Sequence, residues 1–417
     1  GDASRLPADA AWALAQARDA GVIVDVALPE TLDTDVALDG LLGLGATRAP
    51  QGALAPGVQR LNGSRALVLA IDLPTGLDGD RGRTLGGPAV RARHTLSLLT
   101  LKAGLFTADG RDHAGRVWHD ALGVPLPASS MTLHLPRAPR AQPPHASHKG
   151  SFGDLTVVGG ARGMTGAAWL AARAALAAGA GRVYVDLLDD GDGASPDGRP
   201  ELMRRRDDAW ASPQALASQT IVCGCGGGAE VAAALPTLLA HAGRLVLDAD
   251  ALNAVAAEPG LVRALRARGG RDRLTVLTPH PLEAARLLGT DTAQVQGDRL
   301  EAARRLAEDL EVVVVLKGSG TVTAAPGGRL RLNPSGNARL ATPGSGDVLA
   351  GWIGGAWARS AGAGGFDGVD AVDATADCAA DAVWRHGRAA ELADATHPAR
   401  ASLLAAELVD AMRDVPG

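Results

Sequence analysis

Cysteine is scarce in this chain, with three residues, Cys223, Cys225 and Cys378, in 417. The number is odd and no pair has C-x-x-C spacing, so neither a disulfide framework nor a zinc site is indicated, and a reducing cytoplasm fits best. Long hydrophobic runs are missing too. Stretches such as Val312 to Leu316 are far shorter than the ~18 residues that cross a bilayer, which excludes a membrane-spanning protein. Blocks of Lys and Arg are absent: 41 basic residues stand against 46 acidic ones, for a net charge of -5. The electrostatic footprint of a nucleic-acid binder is therefore lacking, and no nucleic-acid partner is expected. Gly1 to Ala20 shows neither a basic n-region nor a continuous apolar core, so no signal peptide is read and a cytoplasmic protein is expected.

Aromatic residues reach only 3%, but apolar residues make up 46% and charged ones 21%. That balance excludes a fully disordered chain, because enough surface can be buried to offset chain entropy. Segments rich in β-branched residues alternate with Ala-rich stretches of helical period, which reads as α/β. The expected strands are Leu67 to Asp72, Leu155 to Val158, Gly181 to Asp186, Thr220 to Cys223, Arg244 to Asp248, Leu274 to Thr278 and Glu311 to Lys317. Most are continuous apolar runs, as in parallel strands covered on both faces. Prolines at 125, 127, 136, 139, 143 and 144 mark a linker. The expected domains are therefore 1–125, a Pro-rich linker at 126–147, and 148–417.

The strongest chemistry lies in TPGSGDVLAG, Thr342 to Gly351. Its glycines form a flexible turn into an apolar helix, where backbone N–H groups and the positive helix end can converge on an anion. Asp347, in the first turn, is either a helix-dipole partner or a general base beside a bound phosphate. Upstream, an apolar strand runs into Lys317, Gly318, Ser319, Gly320 and Thr321. This second glycine-rich turn offers a cation and hydroxyls, although a plain hairpin turn needs the same glycines. Neither turn has the Walker A pattern, so a P-loop NTPase is not expected. A third glycine-rich turn, Gly159 to Gly166, follows the strand Leu155 to Val158 and leads into an Ala-rich helix. Gly224, Gly226 and Ala229, with Asp248 downstream, satisfy a bare dinucleotide-binding fingerprint, which keeps an NAD-dependent dehydrogenase open as an alternative. His145 and His148 lie close in sequence, as a metal pair or as a solvated linker end. In the leading domain, Asp39 and Asp72 each end an apolar segment; they lie together in one cleft or each caps a turn.

Taken together, HKGSFGDLTVVGGARGMTGAA, LDADALNAVA, LTPHPLEAARLLG, VVLKGSGTVTA and TPGSGDVLAG resemble the successive blocks of the ADP-dependent NAD(P)H-hydrate dehydratase family, of ribokinase-like fold. The resemblance implies dehydration of (S)-NAD(P)HX to NAD(P)H, with ADP or ATP consumed to activate the leaving hydroxyl and Mg²⁺ as the phosphate counterion. By this match Asp347 is the catalytic base, Gly346 and the turn Lys317, Gly318, Ser319, Gly320 and Thr321 hold the nucleotide, and Ala167, Gly228 and His280 join Asp347 around the hydrate. Small-molecule kinases of the same fold share the G-x-G-D turn and stay an alternative. Two positions depart from the family pattern: GCGGG stands where G-P-G-L-G is usual, so Cys225 replaces a Pro and Gly227 a Leu, and Leu282 stands where Gly is common.

VALDGLLGLGATRAP, AIDLPTGLDGD and LTLKAGL in turn resemble the NAD(P)H-hydrate epimerase domain, a Rossmann-like three-layer domain that interconverts the R and S hydrates and binds K⁺. The match puts Asp39 and Thr75 at K⁺-ligand positions. It puts Gly43, Leu44, Gly45, Ala46, Thr47, Arg48, Ala49 and Asp72 at the hydrate. Thr75 replaces the usual Ser and keeps the hydroxyl; Leu44 replaces a common Thr and removes one. The leading N-N-G-G-D-G block of that family has no counterpart here, so an incomplete domain with an open sheet edge and exposed apolar surface is expected. The expected partners are NAD(P)HX and an adenine nucleotide, in a homo-oligomer.

Overall fold

In the computed structural model the described residues are 6–25, 28–126, 128–136, 144–188, 199–205, 211–269, 273–362 and 371–416. The chain divides into two compact units: 1–79, 84–101 and 112–124 form the smaller, and 80–83, 102–111 and 125–417 the larger. Among the described residues no helix is long and apolar enough to cross a membrane.

The smaller unit is built on four parallel strands, β1 (Val36–Asp39), β2 (Leu67–Ile71), β3 (His94–Leu98) and β4 (Arg116–Asp120), adjacent in that order. Alternate residues of β1 to β3 face a core of Ala37, Val58, Leu61, Val68, Ala70, Val90 and Ala92. Strand β1 is a sheet edge, and its outward residues Val36 and Leu38 are 52% and 64% exposed. The helix Ala8–Asp19 buries none of its residues.

Ten strands make the sheet of the larger unit: β5 (Met131–Leu133), β6 (Asp154–Gly159), β7 (Arg182–Leu187), β8 (Met203–Arg204), β9 (Thr220–Cys223), β10 (Arg244–Leu247), β11 (Leu274–Leu277), β12 (Val313–Leu316), β13 (Val322–Ala324) and β14 (Leu330–Leu332). The order is β5-β14-β13-β12-β11-β10-β9-β6-β7-β8. From β12 to β8 all neighbours are parallel, and β13 and β14 then run back antiparallel as a hairpin. Strands β9 and β12 are buried along their whole length, as continuous apolar runs require. Strand β5 comes from the stretch expected to be a linker. Its three residues are too few to show a period, and it pairs at the sheet edge beside β14, where neighbouring prolines are tolerated. Pro127 and residues 137–143 of that stretch lie outside the described residues.

Helices cover both faces of this sheet. One layer holds Thr165–Ala177, Ser345–Gly362, Ala371–Thr396 and Ala405–Asp414, and the other includes Val231–His241, Asp250–Ala257, Pro281–Leu288 and Arg299–Leu310. Two helices of the first layer approach unusually closely. A Cβ on Gly351 would sit 2.0 Å from the Ala171 carbonyl oxygen, and one on Gly355 2.2 Å from that of Ala175. Small residues four apart on both helices therefore form the seam between them.

Candidate functional site

In a parallel sheet the ligand cleft lies beyond the carboxyl ends of the strands. There the larger unit carries Gly224 to Gly228 after β9, Asp248 after β10, Thr278 after β11, Lys317 after β12, and the start of the helix Ser345–Gly362. Asp248 is buried and its Oδ1 accepts from Lys317 Nζ at 2.7 Å and from Thr278 Oγ1 at 2.7 Å. The sulfur of Cys225 and carboxylate oxygens of Asp248 and Asp347 lie within 4.8 Å of one another. Gly346 completes this cluster: a Cβ there would stand 3.3 Å from Lys317 Nζ and 3.8 Å from Asp248 Oδ2.

Electrostatics follow from this crowding. Burial first, and then the charge of Asp248, push the Asp347 carboxyl up to about 6, while a hydrogen bond from Cys225 and the charge of Lys317 oppose the rise. Burial works against the Lys317 ammonium, but Asp248 and Glu283 outweigh it and leave its pKa above the ordinary value. The Cys225 thiol is pushed well up, by burial and then by the two carboxylates, and stays protonated. Such a carboxyl near pH 6 suits a general base at neutral pH.

The glycine-rich turn after β12 is held from behind. Arg299, buried on the helix Arg299–Leu310, donates from Nη2 to the carbonyls of Leu316 and Lys317 at 3.2 Å each, and its guanidinium lies against Gly318, whose φ is +139°. Ser319 donates to the Ala108 carbonyl and Thr321 to that of Gly318. Gly320 packs against Phe106 and Thr107, which leaves no room for a Cβ. Both hydroxyls are engaged within the protein, so backbone groups of this turn are what it can offer a phosphate.

The three residues matched to the hydrate surround the same strand ends. Ala167 contacts Gly226, and the Gly228 N–H donates to Asp250 Oδ2 at 2.9 Å. His280 caps the helix Pro281–Leu288: its Nδ1 accepts from the N–H groups of Leu282 and Glu283, so the neutral ring carries its proton on Nε2. Burial, then Lys317, lowers the His280 pKa. Glu283 closes the cap by accepting from the His280 N–H at 2.7 Å, and burial raises its carboxyl to about 6. His386, on the helix Ala371–Thr396, donates from Nε2 to the Ser345 carbonyl at 3.0 Å and is held neutral by burial, with a pKa of about 4. Sequence reading missed Arg299, His386 and the bond between Asp248 and Lys317. Asp248 alone had a signal, its place at a strand end. The pair His145 and His148 gathers no third ligand among the described residues; His148 Nδ1 accepts from the Gly150 N–H.

In the smaller unit Asp39 ends β1 and is fully buried. Its Oδ2 accepts from the Thr75 N–H at 2.8 Å and its Oδ1 from the Thr75 hydroxyl at 2.7 Å. The Thr75 oxygen also accepts from Leu42 N–H at 3.0 Å and lies 3.3 Å from the Leu42 carbonyl. The loop Gly43 to Ala49 follows directly and is mostly exposed. Asp72, after β2, has φ +69°, a rare conformation for a residue with a side chain, and its Oδ1 accepts from the Leu98 N–H at 3.0 Å. Asp39 and Asp72 thus share one end of the sheet, Asp39 tied to Thr75 and Asp72 to β3.

A family model described as NAD(P)H-hydrate dehydratase matches residues 155–413, and one described as YjeF-related protein N-terminus matches residues 2–104. The chain is 35% identical to the bifunctional NAD(P)H-hydrate repair enzyme Nnr of Escherichia coli, over 84% of this chain and 68% of that protein. It is 43% identical to the ADP-dependent (S)-NAD(P)H-hydrate dehydratase of Neisseria meningitidis, over 64% of this chain and 86% of the relative. Among solved structures, the ADP/ATP-dependent NAD(P)H-hydrate dehydratase of Bacillus subtilis, co-crystallised with ATP/Mg²⁺, superposes with a TM-score of 0.51 at 31% identity, covering 65% of this chain and 91% of its own.

Proposed function

The chain belongs to the NAD(P)H-hydrate dehydratase family, and from that premise we propose that its larger unit dehydrates (S)-NAD(P)HX to NAD(P)H with ADP or ATP as the phosphoryl donor. The observation that carries the reading is Asp347. It stands at the first turn of the helix Ser345–Gly362, beside the buried pair of Asp248 and Lys317, with its carboxyl near 6.

Water is a poor leaving group, and phosphate is better. Asp347 takes the proton of the ring hydroxyl as that oxygen attacks the terminal phosphoryl of the nucleotide. The bond from this phosphorus to the bridging oxygen breaks, releasing AMP from ADP or ADP from ATP. The C–O bond of the hydrate then breaks with loss of inorganic phosphate and of a proton from the neighbouring ring carbon, which restores the double bond. Backbone N–H groups at Gly346 and at the turn Lys317 to Thr321 stabilise the phosphoryl charge. Ala167, Gly228 and His280 line the hydrate side.

The group Cys225, Asp248 and Asp347 does not fit Mg²⁺. That ion prefers oxygen ligands, whereas Cys225 offers a protonated thiol and Asp248 holds Lys317. In the smaller unit, R and S hydrates would be exchanged at Asp72 and the loop Gly43 to Ala49. The oxygens of Asp39, Thr75 and Leu42 converge there as an all-oxygen donor set that suits K⁺.

The dehydrogenase alternative is disfavoured, because Asp248 Oδ1 is already engaged by Lys317 and Thr278. The test is Asp347→Asn. It should abolish ADP-dependent recovery of NADH absorbance from the hydrate while nucleotide binding persists; retained turnover overturns the base assignment. A phosphorylated product accumulating in the wild type without that recovery identifies a small-molecule kinase instead.

A further inference from the structure

We infer that Thr107 is a positioning residue for the nucleotide: its hydroxyl draws the carbonyls of Ser319 and Gly320 to one side of their turn, which presents the N–H groups of Gly320 and Thr321 to phosphate on the other. The inference rests on the reading of that turn as the nucleotide holder.

Thr107 stands ahead of the proline-rich stretch, yet the segment Lys102–Arg111 that carries it belongs to the larger unit. Its side chain is fully buried, and Oγ1 lies 3.3 Å from the Ser319 carbonyl oxygen and 3.4 Å from that of Gly320. One hydroxyl proton is thus shared between two acceptors as a three-centre bond. The next residue pairs with the turn in both directions. The Ala108 N–H donates to the Ser319 carbonyl at 3.2 Å, and the Ser319 hydroxyl donates to the Ala108 carbonyl at 2.9 Å. Arg299 holds the carbonyls of Leu316 and Lys317 at the entry to the turn, and Thr107 holds those nearer its exit.

A trans peptide is planar, and its C=O and N–H point opposite ways. Holding the Ser319 carbonyl therefore aims the Gly320 N–H away from Thr107, and holding the Gly320 carbonyl does the same for the Thr321 N–H. Gly320 has φ +63°, the left-handed conformation that lets successive N–H groups converge on an anion. Without the hydroxyl the Gly320 carbonyl loses this donor, and its peptide plane is freer to rotate.

The segment cannot easily draw Thr107 back. Gly320 lies so close to the Phe106 carbonyl, and Gly82 to that of Thr107, that neither has room for a Cβ. Ala108 is held at φ +49°, a costly conformation for a residue with a side chain, which persists where its surroundings impose it. Its two bonds to Ser319 help to impose it.

The experiment is ADP binding by the full chain, measured by calorimetry in wild type, Thr107→Val and Thr107→Ser, together with kcat for dehydration and the KM values for ADP and hydrate. Thr107→Val keeps the shape and removes the hydroxyl. It should weaken ADP binding and raise the KM for ADP roughly tenfold, the worth of one buried hydrogen bond. The kcat at saturating ADP and the KM for the hydrate should stay within about twofold of wild type. Thr107→Ser, which keeps the donor, should restore the affinity. An unchanged affinity in Thr107→Val, a Thr107→Ser as weak as Thr107→Val, or a loss in kcat as large as that in affinity overturns the inference. Nuclear magnetic resonance of the wild type decides the geometry should Thr107→Val fail to fold. ADP should shift the amide signals of Gly320 and Thr321, and unmoved signals refute the placement. ADP bound without recovery of NADH absorbance would defeat the dehydration reading and leave the three affinities to judge Thr107, whereas a wild type that binds no ADP overturns both.

Discussion

Replacing Asp347 by Asn should stabilise the larger unit at neutral pH while removing turnover, and both the size and the pH dependence of the gain follow from the site. The carboxyl stands at about 6 in the fold against an ordinary 3.8. The folded state therefore binds more protons than the unfolded chain between about pH 4 and 6, and stability falls as pH rises through that window. Above it the full penalty of holding a charge in a buried site beside Asp248 is present, an upper bound of ~3 kcal/mol. Below pH 4 the penalty vanishes. Asn keeps the shape without the charge, so urea midpoints of wild type and Asp347→Asn should diverge at pH 7.5 and converge at pH 4. Trp169, Trp352 and Trp357, in the core of this unit, make tryptophan fluorescence the probe. A variant less stable than wild type at pH 7.5, or a gain independent of pH, would refute the reasoning that burial and Asp248 hold this carboxyl up.

Gly351→Ala should lower stability by about 1–3 kcal/mol, as overpacking does, because the new methyl meets the Ala171 carbonyl; the urea midpoint of purified protein checks it. Arg299→Met should raise the KM for ADP more than it lowers kcat, since it frees the turn after β12 without touching Asp347. Steady-state kinetics at varied ADP read the difference. Asp72→Ala should slow exchange between R and S hydrates, followed by NMR, and leave dehydration of the S hydrate unchanged.

The parts legible in the sequence are those whose chemistry is contiguous along the chain. Strand, glycine-rich turn and helix start follow one another at Val313 to Thr321 and at Thr342 to Gly351, so Lys317 and Asp347 stand out, as do all seven expected strands. Boundaries shift by one or two residues: Asp72, Asp248, Thr278 and Lys317 fall just past their strands, and Asp154, Gly159 and Leu187 join theirs. What could not be read is set by strand order. Asp248 meets Lys317 because β10 and β12 flank β11, a contact across 69 positions. Arg299 and His386 reach the site from helices whose own patterns are purely amphipathic or Ala-rich, and nothing local marks either one.

Strand order also explains how a chain with net negative charge can build a site for phosphates. Lys317, at the end of β12, is bound to Asp248, so its charge is largely matched before any ligand arrives. Attraction for phosphate must then come from backbone dipoles, which act at short range and only where the chain turns tightly. On the proposed reading, binding falls to the glycines at 318, 320, 344 and 346, three of which hold positive φ. The same pairing leaves Asp347 with one lysine already shared and a buried neighbour of like charge. A carboxyl in that position rises toward neutrality, and this is the condition under which it can accept a proton from a weakly acidic hydroxyl. On the proposed reading, the lysine's commitment to Asp248 leaves phosphate binding to the backbone, while burial first and then the charge of Asp248 make Asp347 basic enough to act.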